Sequence, residues 1–226
     1  ITVALDTAGT ATEGTDYGNL SDITISAGAT TGTVSFTPTN DSIYDATSNE
    51  TATISINGVS GKTGVAENST PQAVTITITD DESAPTVTLT SNSYTMAEDA
   101  GGYHTLRASL SVATYEDVTV SIDGTGGTAT EGTDFGTVSD ITISAGSTTG
   151  TTSFTPTDDS IYDATSNETA GISVSAVSGG GASENGTQAF TITITDNESA
   201  PTLTLSTSAS SISESAGTSV TITATL

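Results

Sequence analysis

The sequence predicts an all-β molecule of two-layer sandwiches strung in tandem, and three observations predict it. Apolar residues alternate with Thr or Ser at a period of two, turn-forming clusters interrupt the alternation, and most of the pattern is written twice. Alternation of this kind belongs to strands with one buried and one solvated face. Thr, abundant here, is β-branched and suits a pleated, half-wet surface. No segment carries the stripe of an amphipathic helix.

The repeat sets the organisation. GTATEGTDYG at 9–18 returns as GTATEGTDFG at 127–136, and SDITISAGATTGTVSFTPTNDSIYDATSNETA at 21–52 returns almost unchanged at 139–170. TITITDDESAPTVTL at 75–89 returns as TITITDNESAPTLTL at 191–205. The offset is 118 residues early in the repeat (9 to 127) and 116 late (75 to 191), because the loop at 179–186 is shorter. A third copy begins where Glu98-Asp99-Ala100-Gly101 matches Glu214-Ser215-Ala216-Gly217. The expected units are therefore 1–84, a repeat lacking its first two strands, 85–200, a complete repeat, and 201–226, the first strands of a third. The joints fall in the SAPT stretches Ser83–Thr86 and Ser199–Thr202, where Pro ends ladder pairing and stiffens a short linker.

Within the complete repeat, strands are expected near 86–90 with 94–97, then 103–112, 117–123, 139–144, 149–155, 169–178 and 187–196. Val87/Leu89, Ile141/Ile143, Ile172/Val174 and Ile192/Ile194 supply the inward positions. Gly124–Gly127 and Ala145-Gly146-Ser147 supply turns. Seven short antiparallel strands in a repeat of this length indicate an immunoglobulin-like sandwich.

Composition limits the function. The formal charge is −25, and Lys62 and Arg107 are the only basic side chains. Nucleic acid and anionic membrane both require Lys and Arg against phosphate, so neither is an expected partner; cations are. There is no Cys, hence no disulfide framework or thiol chemistry. No stretch approaches the roughly 18 apolar residues of a membrane helix. His104, the single His, falls in an expected strand and has no positioned partner for a Ser-His-Asp set. Paired carboxylates could serve glycoside hydrolysis, but aromatics to hold a sugar are scarce and Trp is absent. The expectation is that the chain is not an enzyme. Gly179-Gly180-Gly181 reads as a loop, since no strand–helix unit follows for a phosphate cradle.

The carboxylates gather in loops: Glu98/Asp99, Glu131/Asp134, Asp158-Asp159-x-x-x-Asp163 with Glu168, and Asp196-Asn197-Glu198. The other copy has Glu13/Asp16, Asn40-Asp41-x-x-x-Asp45 with Glu50, and Asp80-Asp81-Glu82. Crowded carboxylates raise one another's pKa and cost stability. Two basic residues cannot relieve this, whereas a divalent cation can. Ca²⁺ takes 6–8 oxygen ligands in flexible geometry, which loops provide.

These residues resemble the Calx-β repeat, found in the regulatory part of sodium–calcium exchangers and in large bacterial surface proteins. The resemblance is carried by G-T-A-x-x-G-x-D-[YF] (127–135), D-D-x-I-Y-D (158–163) followed by Glu168, and T-I-T-I-T-D-[DN]-E (191–198). It implies that Ca²⁺ is held by Glu98, Asp134, Asp158, Asp159, Asp163, Glu168 and the Ile161 carbonyl, closed by Asp196 and Glu198. In the first copy the matching positions are Asp16, Asp41, Asp45, Glu50, Asp80, Asp81 and Glu82, with no counterpart of Glu98. Asn40 and Asn197 stand where the family has acids, and D-A-T-S-N-E is two residues longer than the usual acidic turn; fewer or weaker ions would follow.

Two functional readings follow. One is a structural segment of an extracellular adhesin or surface fibre, stiffened by Ca²⁺ at repeat junctions, with neighbouring repeats or copies of the same chain as partners. The other is a calcium sensor acting on a partner domain, which near-identical copies disfavour. The chain starts just before the third strand of one repeat and stops in the second strand of another. Chains joining head to tail, each donating two strands to the next, is one expectation; a window on a continuous array is the other.

Overall fold

The computed structural model describes residues 1–46, 49–68, 70, 72–163, 167–215 and 217–226. The interior of the D-A-T-S-N-E turn in both copies, and Ala216 of the third-copy match, lie outside them. The described residues contain strands and no helix. The first copy holds β1 (Thr2–Gly9), β2 (Ile23–Thr24), β3 (Ile43–Tyr44), β4 (Asn49–Ser60) and β5 (Ala73–Thr79). The second holds β6 (Thr86–Ser91), β7 (Thr95–Ala97), β8 (His104–Leu110), β9 (Ala113–Thr114) and β10 (Val118–Gly127). It continues with β11 (Ile141–Ile143), β12 (Thr149–Phe154), β13 (Asn167–Ser178), β14 (Ser183–Glu184) and β15 (Ala189–Thr195). After it come β16 (Thr204–Thr207) and β17 (Ile222–Thr225).

In the second copy one sheet runs β11-β10-β13-β15-β7 and the other β12-β8-β6-β14. Their inner faces meet in a single core: Val87, Leu106 and Ala108 from one sheet, Val118, Val120, Ile141, Ile172 and Ile192 from the other, all essentially without solvent contact. Phe135 and Phe154 pack ring to ring within it, centroids 4.9 Å apart. The expected inward positions are thus the buried ones, except Val174, which packs against the core only partly buried.

The expectation that 86–90 and 94–97 act together needs correction. β6 pairs with β8, but β7 crosses to the other sheet and pairs parallel with β15, Met96 opposite Ile194. The Ser91–Thr95 segment makes the switch: Ser91 Oγ donates to the Ser93 carbonyl at 2.6 Å and turns the chain between the layers. A second parallel pair, β14 with β6, covers the far edge.

The first copy forms one sheet, β2-β1-β4-β5. Its ATTGTVSF segment (29–36) is not strand, although the equivalent SxxGTTSF of the second copy includes β12. β12 exists because β8 offers it six residues of antiparallel ladder, Thr149 opposite Ser109 through Phe154 opposite His104. Among the described residues the first copy has no equivalent of β8. The hairpin β16–β17 repeats the register of β6–β8: Leu205 faces Ala224 as Leu89 faces Ala108. Leu205 is 73% exposed, whereas Leu89 is 5% exposed, since among the described residues β16 and β17 form a two-stranded sheet of their own.

Candidate metal centre

The loops carrying the carboxylates emerge at one end of the sandwich because strand directions bring them there. β7 and β15 run parallel and end side by side; β13 begins antiparallel to β15, Asn167 opposite Thr195; and β10 ends opposite β13, Gly127 opposite Ala170. Gly127 has φ +97°, and a Cβ there would collide with the Thr169 carbonyl, so only glycine passes the chain into the next turn. In that turn Thr130 N–H donates to Asp134 Oδ2 at 2.7 Å and Gly132 N–H to the Phe135 carbonyl at 2.7 Å. Phe135 enters the core while Asp134 stays within electrostatic reach of Glu168. The first copy builds the same turn, Thr12 N–H to Asp16 Oδ2 at 2.6 Å, with Tyr17 as the buried aromatic.

In the second copy Glu98 directly follows β7, and its N–H donates to the Thr195 carbonyl at 3.1 Å. Asn197 N–H donates to Glu98 Oε1 at 3.3 Å, Asp163 N–H to Asp196 Oδ2 at 3.1 Å, and Glu198 N–H to Asp196 Oδ1 at 3.2 Å. Carboxylate oxygens of Glu98, Asp158 and Glu198 come within 4.8 Å of one another. Asp159 Oδ1 accepts from Ile161 N–H at 2.6 Å, which leaves its other oxygen for a ligand; the Ile161 side chain is exposed. Asp134, Asp163, Glu98 and Asp159 all repel the charge on Glu168.

In the first copy Asp16, Asp41, Asp45, Glu50, Asp80, Asp81 and Glu82 line a single cleft of about 690 Å³. Asp45 N–H donates to Asp80 Oδ2 at 3.2 Å and Ile43 N–H to Asp41 Oδ1 at 2.8 Å, matching the second copy bond for bond. Glu131 and Glu13 take another role: Glu131 accepts from Val138 N–H at 2.8 Å and Glu13 from Leu20 N–H at 2.5 Å, so each braces its own loop.

The electrostatics are those of a site short of positive charge. Glu50 and Glu168 titrate above the ordinary carboxylate range, first through burial and then through neighbouring carboxylates. Glu98 is raised by burial. Glu198 is pushed up to about 7 by its hydrogen bond to Asp196, by burial and by Glu98. Burial pulls Asp196 upward too, yet hydrogen bonds from Glu198 and from the Asp163 N–H hold it below the usual range. The side-chain nitrogen of Asn197, turned toward the acids, donates to Glu198 at 2.7 Å and Glu98 at 2.9 Å. Asn197 thus supplies a donor where an acid would add repulsion.

The donors gathered here are oxygens throughout. His104 is elsewhere, its Nε2 2.8 Å from the Thr95 carbonyl, and neither Lys62 nor Arg107 lines the first-copy cleft. Such a set fits a hard cation with many oxygen ligands and suits Ca²⁺ over softer metals. Two cleft residues escaped the sequence reading: Tyr115 and Glu116, which come from the second copy yet line the first-copy cleft. Tyr115 donates its hydroxyl to Asp41 Oδ2 at 2.6 Å. That bond, burial and the charges of Asp41, Asp16 and Glu50 push the hydroxyl up to about 12. A contact between copies leaves no mark on a pattern compared copy against copy.

A β-sandwich with oxygen-rich loops gathered at one end defines a class of cation-binding module. The chain belongs to the Calx-beta family: the Calx-beta domain model matches residues 1–82 and 80–198. Calx-beta domains bind Ca²⁺ and act as regulatory or structural binding modules. Among solved structures, the apo-form Calx CBD1 domain is similar at 21% identity and a TM-score of 0.42, over 50% of this chain and 99% of that one. A search of curated proteins finds no match. No helix among the described residues is long and apolar enough to cross a membrane.

Proposed function

We propose that the chain is a calcium-stiffened structural segment of an extracellular adhesin or surface fibre, built from the units 1–84, 85–200 and 201–226. Glu98, Asp134, Asp158, Asp159, Asp163, Glu168, Asp196, Glu198 and the Ile161 carbonyl are the ligands of the second unit. Asp16, Asp41, Asp45, Glu50, Asp80, Asp81 and Glu82 are those of the first. The observation that carries the reading is the position of Asp80–Glu82: they line the first cleft and run directly into the SAPT joint and β6. An ion drawing these carboxylates together fixes the segment that connects one sandwich to the next. Without it, mutual repulsion in a chain of −25 charge favours spread, variable joints. The near-identity of 21–52 and 139–170 supports a repeated mechanical part over a sensor tuned copy by copy. X-ray scattering tests it: the maximum dimension should lengthen and its distribution narrow with Ca²⁺. A profile that chelator leaves unchanged contradicts the reading.

A second property is favoured by two open apolar faces. Leu205, Ile222 and Leu226 of the 201–226 segment are exposed, while the first copy has an open trough lined by Leu5, Ile23, Val34, Phe36, Ile54 and Val74. In the complete repeat the corresponding faces cover each other. The hairpin of one chain can therefore complete the first sheet of another, each chain giving two strands to its neighbour. Deleting 200–226 should abolish concentration-dependent oligomers in sedimentation; unchanged oligomers would end this reading.

A further inference from the structure

Identical residues sit in two different environments in this molecule. Ile43-Tyr44 forms β3, half-buried and paired in parallel with β9, Ile43 opposite Ala113 and Tyr44 opposite Thr114. Ile161-Tyr162, the same dipeptide one repeat on, forms no strand, and Ile161 is 73% exposed. What differs is the neighbour. The end of the second sandwich remote from its own cleft lies against the first-copy cleft, whereas among the described residues β16 and β17 pair only with each other and not with the second copy.

The contact is closely built. Thr114 is 1% exposed and donates its hydroxyl to the Glu116 carbonyl at 2.6 Å, closing the turn that presents Tyr115 and Glu116. Gly180 N–H donates to Glu116 Oε2 at 3.2 Å, which holds the carboxylate at the rim of the cleft it lines. Gly181 has φ +62°, and a Cβ there would stand 2.8 Å from Tyr44 Cε1, so a side chain would have to displace the Tyr44 ring. The loop that reads in sequence as a bare Gly179-Gly180-Gly181 connection is shaped to the preceding repeat.

We propose that the first-copy ion site is shared between repeats: Tyr115 of the following repeat is a positioning residue that orients Asp41 toward the ion, and Glu116 adds a carboxylate to the cleft wall. The inference rests on the calcium reading above and extends it. Ion binding in one sandwich then depends on the docking of the next, and docking depends on the ion. The second-copy cleft, which has no counterpart of Tyr115 hydrogen-bonded to it among the described residues, is an internal control.

The test uses the full chain with the second site disabled by Asp196→Asn and Glu198→Gln, titrated with Ca²⁺ by calorimetry. In that background Tyr115→Phe and Glu116→Gln should each weaken binding about five- to tenfold, the scale of one ordinary net hydrogen bond. In the converse background, with Asp80→Asn and Glu82→Gln, neither should change the affinity of the second site. Tyr115→Phe should lower the melting temperature more in Ca²⁺ than in chelator, where only the bond to Asp41 is lost. Equal affinities in the first background, equal weakening in both, or the same drop in melting temperature with and without Ca²⁺ would overturn the shared site. Failure of the chain to bind Ca²⁺ with Tyr115 and Glu116 intact would remove the calcium reading itself, and this proposal with it.

Discussion

A hydrogen bond to Asp196 pushes the Glu198 carboxyl up in the cation-free fold, and the behaviour of that group with pH carries a sign that calcium must reverse. Glu198 has an ordinary value of 4.5 and titrates at about 7 in the folded chain. A raised folded value means its contribution to stability is complete below about pH 4.5 and is lost as pH rises through 7. The cation-free fold should therefore weaken across that window. On the proposed reading Ca²⁺ takes the place of the proton on Glu198, so binding at pH 6 should release protons and binding at pH 8 should release few. Calorimetry in two buffers of different ionisation enthalpy checks it: heats that differ between buffers at pH 6 and agree at pH 8 are expected, and Glu198→Gln should remove the difference at pH 6. At this scale most acid positions were legible because they recur from copy to copy, Asp41 with Asp159, Asp45 with Asp163 and Glu50 with Glu168 among them. Glu13 and Glu131 recur equally well and yet brace backbone N–H groups, so recurrence alone does not separate a ligand from a loop staple.

Strands in this chain are made by their partners as much as by their residues. ThrThrGlyThr at 30–33 and 148–151 is the same tetrapeptide, yet only the second copy gives a ladder, because β8 is beside it. Alternation along the chain announced which segments could be strands, since period two places apolar residues on one face. It could not announce the crossing of β7 to the opposite sheet, because Met96 faces a core from either layer. That crossing matters: it delivers Glu98 beside Asp196 and Glu198. The turn glycines were legible as turns, but the steric demand at Gly127 was not, being set by Thr169 from another strand. Gly127→Ala should cost at least about 1–2 kcal/mol from the left-handed backbone alone, more once the collision with the Thr169 carbonyl is added. Urea unfolding reads this directly, and a variant as stable as the parent would show that the end of β10 relaxes freely.

Across the whole molecule, the cleft of the first copy meets the far end of the second, so the charged end of the first copy is also its joint. Tandem organisation was plain from the repeat, while the docking of Tyr115 against Asp41 needed three dimensions. One consequence follows for stability. The carboxylates that repel one another lie where sandwiches connect, and a ligand that binds only the folded, docked state stabilises fold and joint together.

Thermal unfolding of the chain in millimolar Ca²⁺, in Mg²⁺ and in excess chelator tests this account most directly. At a hundredfold excess over Kd the ion should add about 2.7 kcal/mol per site, seen as a clear rise in melting temperature with Ca²⁺ that Mg²⁺ does not reproduce. Identical melts in all three would mean that the carboxylates are solvated surface and that no ion holds the repeats in line.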